Sequence, residues 1–218
     1  MTKKTTITVT IQPPNIRRAT FTIEGTTPLI VNAFSSKAKM MIRETQEAGS
    51  TSKKGKKREP KDFQALYEGA KHISQKGWCG IAASAFRCAL ISACRICGFQ
   101  MTKAKLAVFI EADGFDKEDG TPLVQITKGE PHYSEHPVRL EKGGCDIRAR
   151  PMWDSGWQAE LTVRFDADQF TLGDVTNLLH RVGLQVGIGE GRPDSKKSAG
   201  MGWGLFNVLP QKKGAKVV

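Results

Sequence analysis

No stretch of the 218-residue chain is long and apolar enough to suggest a membrane span, and the opening Met1-Thr2-Lys3-Lys4 runs straight into Thr/Ile/Val alternation rather than into a signal-peptide pattern. A basic amphipathic helix with bulky apolar anchors is also missing, which excludes a membrane surface as partner. These absences predict a cytoplasmic protein. Acid is in deficit: 22 Asp and Glu face 33 Lys and Arg, a formal charge of +11. That excess exceeds what a metabolic enzyme needs and creates a field that attracts polyanions, nucleic acid first among them. Cysteine is sparse and odd in number: Cys79, Cys88, Cys94, Cys97 and Cys145 do not make a disulfide scaffold in a chain without a secretory signal. Cys94 and Cys97 form a C-x-x-C, but within a helical run and with no second pair, so they read as small buried hydrophobes and no cofactor is expected.

What is present fits one packed domain, since about two-fifths of the residues are apolar and the length suits a single core. From Arg18 to Asn32 apolar and polar residues alternate and then break at Gly25 and Pro28, which predicts a first core strand and a turn. Residues 35–61 hold nine Lys/Arg against three Glu, and Gly49 to Arg58 contains no apolar residue, which predicts a basic loop. Phe63, Leu66, Ala70 and Ile73 share one face of a helix expected over 62–73, and a more buried helix is expected over 81–98. Lys105 to Ala112 reads as a strand. The charged, Gly- and Pro-containing stretch 113–144 reads as an excursion from the core, and Trp157 to Phe165 as an alternating strand. Thr171, with Asp174 three residues on, caps a helix burying Val175, Leu178, Leu179 and Val182. The segment 203–209 closes the fold as a strand. The order strand, helix, strand, excursion, strand, helix, strand predicts an α+β protein with a ferredoxin-like (RRM-like) βαββαβ core.

Between that helix and the last strand lies Gly187-Ile188-Gly189-Glu190-Gly191-Arg192-Pro193-Asp194-Ser195-Lys196-Lys197-Ser198-Ala199-Gly200-Met201-Gly202-Trp203-Gly204. Glycines at alternate positions in two clusters let the backbone adopt positive φ and approach a partner closely, offering amides to phosphate oxygens, with Arg192, Lys196 and Lys197 between them. A turn packed tightly against a helix fits the same pattern. The run is neither a Walker loop nor a Rossmann turn, because no Gly-Lys-Ser/Thr follows and it leads from a helix into a strand.

Placed there, the loop resembles that of the RAMP superfamily of CRISPR-associated RNA-binding proteins, whose ferredoxin-like domains carry a glycine-rich loop just before the final strand. Gly80-Ile81-Ala82-Ala83-Ser84-Ala85-Phe86-Arg87 is similar to the family's first-helix start, and Gly25-Thr26-Thr27-Pro28-Leu29-Ile30 to the end of its first strand. The matches bracket residues 18–209 of what reads as a single domain over 1–218, with insertions at about 35–61 and 113–144. The nearest likeness is to the backbone subunits of CRISPR effector complexes, or to a shortened phage or mobile-element relative. It implies a thumb-like hairpin in the excursion, polymerisation of copies in a helical assembly along single-stranded guide RNA or single-stranded DNA, and contact with other effector-complex subunits in antiviral defence. Residues expected at the nucleic acid are Arg43, Lys53, Lys54, Lys56, Lys57, Arg58, Ser84, Arg87, Arg148, Arg150, Gly187, Gly189, Gly191, Arg192, Lys196, Lys197, Gly200 and Gly202, with Trp153, Trp157, Trp203 and Tyr133 as further stacking candidates. Backbone subunits that cut RNA do so with an acidic residue after the first strand, and none stands there. His72, His132, His136 and His180 are the candidate bases for a processing endoribonuclease, the alternative to a non-catalytic binder or a backbone mimic.

Overall fold

The computed structural model describes residues 12–34, 40, 43, 46, 47, 61–139, 144–195 and 200–210. Lys53, Lys54, Lys56, Lys57, Arg58, Lys196 and Lys197, the Thr/Ile/Val alternation that follows Lys4 and the basic tail lie outside them.

The first core strand, β1 (Ile16–Gly25), alternates as expected, with Ala19, Phe21 and Ile23 buried. It stops where the Thr26 and Thr27 amides turn to the Leu205 carbonyl, and its last residue, Gly25, packs so closely on Trp157 that a Cβ there would fall 2.0 Å from the indole nitrogen. After β2 (Leu29–Ile30) come the helix α1 (Phe63–Glu68), capped by Asp62, and the strands β3 (His72–Ile73) and β4 (Cys79–Ala82). α2 (Ala83–Ile96) buries Phe86, Leu90 and Cys94, and α3 (Met101–Ala107) leads into β5 (Val108–Ile110). β6 (Gly114–Phe115), β7 (Pro122–Lys128), β8 (His132–Arg139), β9 (Cys145–Trp153) and β10 (Gln158–Asp166) follow, then α4 (Leu172–Arg181), one π-helical turn over Val182–Val186, and β11 (Phe206–Val208).

The larger sheet runs β11-β1-β10-β7-β4-β3, all antiparallel, with β5 and β7 sharing the edge of β10 away from β1. β2, β9 and β8 form a second sheet whose hairpin pairs His132 with Met152 and Arg139 with Cys145. The protein is thus mixed α+β with antiparallel sheets. Its core lies where α2 and α4 meet one face of β1 and β10, around Phe86, Leu161, Val163, Phe165, Leu179 and Phe206. The 113–144 stretch divides: β6 and β7 join the larger sheet, and β8 starts the hairpin that β9 completes. Among the described residues no helix is long and apolar enough to cross a membrane.

Four expected elements differ. The 62–73 helix ends at Glu68, because Gly69 follows and His72 and Ile73 pair with β4; Tyr67 rather than Leu66 is its buried residue. Residues 79–82 form a strand before α2 begins, held by β7. The expected strand from Lys105 yields to α3 until Val108, where pairing with β10 begins. The last strand narrows to Phe206–Val208, because Trp203 and Gly204 stay with the glycine loop. The capping box at Thr171 and Asp174 forms as expected, and Val175, Leu178, Leu179 and Val182 are buried.

Candidate functional site

The glycine-rich loop is a packed object before it is anything else. Gly187, Gly189, Gly191, Gly200, Gly202 and Gly204 all have positive φ. At two of them the reason is the protein itself: a Cβ on Gly204 would stand 1.9 Å from the Ile188 carbonyl oxygen, and one on Gly189 2.4 Å from that of Ile30. The loop is stitched to β2 and the residue before it by Glu190 N–H to Ile30 O (2.9 Å) and Gly204 N–H to Pro28 O (2.8 Å). The amides of Gly189 and Gly191 donate to no described residue.

Between this loop and the N-terminal half of α2 lies an open groove of about 650 Å³, with Ser84, Arg148, Gly189, Gly191 and Arg192 among its walls. Ser84 is there because it opens α2 on the exposed side, and Cys88 lies one turn on. Arg148 and Arg150 alternate along β9 and so share a face, with His136 opposite Arg148 in register on β8. That face meets Glu190. Arg148 Nη1 donates to Glu190 Oε1 at 2.7 Å and Arg150 Nε to Oε2 at 3.0 Å, while His136 Nε2 stands at 3.9 Å, too far for a hydrogen bond. Burial opposes the charge of Glu190, but the two guanidiniums bonded to it outweigh it and hold the carboxyl at about 2. His136 is buried with neither ring nitrogen hydrogen-bonded and lies edge-on to Trp203 at 5.1 Å. Two arginines against one glutamate leave the cluster with an excess positive charge.

At the far end of the loop, Arg95 of α2 reaches Asp194 at 2.9 Å. The Ser92 hydroxyl, and then Arg95, hold that carboxyl below its ordinary range against burial. The loop is thereby clamped to α2 at one end and to β9 at the other.

The expected residues divide accordingly. Ser84, Arg148, Gly189, Gly191 and Arg192 converge on the groove, Arg192 also donating to the Gly189 carbonyl at 3.0 Å. Arg150 is enclosed with Glu190, its side chain 11% exposed. Arg87 does not line the groove: it donates to the carbonyls of Val108 (3.1 Å) and Lys105 and covers the ring of Phe109, tying α2 to the end of α3. Arg43 is exposed and pairs with Glu47. Trp153 and Trp157 are core residues, each 1% exposed, so stacking on a base is excluded; Trp157 Nε1 is spent on Thr27 O at 3.0 Å. Tyr133 is partly exposed and its hydroxyl donates to Glu135.

Three groups at the site escaped the sequence reading as partners. Glu190 was legible only as an acid in a basic loop, although Arg-Ala-Arg at period two signals two guanidiniums wanting one anion. Asp194 had no such signal. His72 lines the groove and bonds Asp116, 44 residues away, which no local pattern announces. Among the described residues no cluster of His, Cys, Asp and Glu could hold a metal ion. Compared with known proteins, the chain matches no family model and no curated sequence.

Proposed function

We propose that the protein binds single-stranded nucleic acid, RNA foremost, in the groove between the glycine loop and α2, as a RAMP-like backbone subunit. The observation that carries this reading is the convergence of Ser84, Arg148, Gly189, Gly191 and Arg192 on one open groove, with the two glycine amides bonded to no described residue, in a chain of charge +11. Amide donors and guanidiniums fit phosphate oxygens, and such contacts hold a strand of any sequence. In support of this reading, β1, α2, β5, β10, α4 and β11 occur in that order along the chain, with β11, β1 and β10 adjacent in the larger sheet and β5 paired to β10, as a ferredoxin-like core would require. The β8–β9 hairpin, with Ile147 half exposed near its end, is the element that reaches a neighbouring copy along the strand.

Anisotropy of a labelled single strand and of its duplex, titrated over a range of salt, tests the reading. Binding should prefer the single strand, and its logarithm should fall with log salt by about 0.7 for each phosphate neutralised. Flat salt dependence, or equal affinity for the duplex, refutes it. Sedimentation with a long RNA should show runs of copies; a single copy per strand refutes the backbone arrangement.

A further inference from the structure

We infer that His72, oriented by Asp116, is a subsite for the ribose 2′-hydroxyl, the group through which the groove separates RNA from DNA. The inference rests on the groove being a nucleic-acid site. His72 opens β3 and Asp116 follows β6, and the ring Nδ1 lies 3.0 Å from Asp116 Oδ2, with both side chains close to nine-tenths buried or more. The carboxylate is itself fixed, since Oδ1 accepts the Glu118 N–H at 2.9 Å. A carboxylate can only accept, so the proton between the two sits on Nδ1, and in the neutral imidazole the lone pair then lies on Nε2. His72 lines the groove, and its Nε2 makes no hydrogen bond to a described residue.

That lone pair is unlike the cationic and amide groups of the groove, whose two carboxylates, Glu190 and Asp194, are taken up by Arg148 and Arg150 and by Arg95. Arg148, Arg192 and the amides of Gly189 and Gly191 are donors and attract phosphate oxygens. An acceptor repels phosphate and needs a donor on the ligand. Base edges offer donors that change with the base, so a protein that follows the backbone regardless of sequence cannot rely on them. The 2′-hydroxyl is a donor present on every ribonucleotide and on no deoxynucleotide. A ring that only fastened β3 to β6 would have no reason to discriminate between the two sugars.

The test is anisotropy on one sequence made as RNA, as DNA and as 2′-fluoro RNA, which keeps an RNA-like sugar but has no hydroxyl proton. The full chain should bind RNA roughly 3- to 10-fold more tightly than the other two, the worth of one hydrogen bond. His72→Asn keeps a donor for Asp116 but places no atom at Nε2; it should bring all three strands to the affinity of DNA with an unchanged salt slope. Equal affinity of the unaltered protein for RNA and 2′-fluoro RNA overturns the inference without any variant, so a misfolded His72→Asn cannot shelter it. Persistence of the preference in a folded His72→Asn also overturns it, as does strand scission that depends on His72. If none of the three strands binds, the groove reading itself fails; tight but equal binding defeats the sugar subsite alone.

Discussion

Replacing Glu190 with glutamine removes the carboxylate that Arg148 and Arg150 share while leaving an amide oxygen in its place. The native carboxyl is 16% exposed and titrates at about 2 instead of its ordinary 4.5. At ~1.36 kcal/mol for each tenfold in proton affinity, the difference comes to about 3 kcal/mol of folding stability. The folded carboxyl is the stronger acid, so this contribution is fully present above pH 4.5 and disappears as pH falls towards 2. Urea denaturation, followed through the buried Trp153 and Trp157, should therefore show Glu190→Gln less stable than the native chain by about 3 kcal/mol at neutral pH. The gap should close towards zero near the acid end. A gap that is the same at both ends, or one below ~1 kcal/mol at neutral pH, refutes the account, because it would mean the guanidiniums do not depend on that charge. RNA affinity should hold or rise in the same variant, since the groove gains one positive charge.

Gly204→Ala should destabilise by roughly 3 kcal/mol or more, because its Cβ meets a backbone oxygen at 1.9 Å and φ is +71°, whereas Gly202→Ala, with φ +74° and open space around it, should lose about 1 kcal/mol in thermal denaturation. Thr171→Ala breaks the capping box of α4 and should lower stability by about 1 kcal/mol in urea titration, without change in strand affinity. Ser84→Asp places an anion in the groove at an exposed site and should weaken single-strand binding on the order of tenfold at low salt, and less at high salt, with an unchanged melting temperature.

Elements governed by local periodicity were legible in advance. The burial of Ala19, Phe21 and Ile23, the alternation through Leu161, Val163 and Phe165, and the capped helix after Thr171 all follow from spacing. The elements that differ were decided by partners distant in the chain. Ile81 and Ala82 look helical by composition but are captured by Val124 and Leu123 of β7, and Lys105 to Ala107 turn helical because pairing with β10 begins only at Val108. The site divides in the same way. The loop and Ser84 were visible because glycine spacing and a helix start are local signals. The Glu190 clamp and the His72–Asp116 pair were not, because a single acid or histidine in a sequence does not say which distant residue it will meet. Arg87 shows the converse: its place at the start of a helix suggests phosphate contact, and the carbonyls of Lys105 and Val108, distant in the chain, bond its guanidinium.

The stitching of the glycine loop to Pro28 and Ile30 has a temporal meaning. The groove draws its walls from residues as early as Val31 and Asn32, from Ser84 and Arg148, and from the loop, whose geometry depends on Gly204 bonding back to Pro28. On the ribosome, the basic segment around Lys53 to Arg58 emerges long before Gly204 does. A growing chain therefore presents positive charge first and its shaped groove last. Folding must bring partners more than 170 residues apart into register before the groove exists, which makes its formation one of the slow, closing events of maturation.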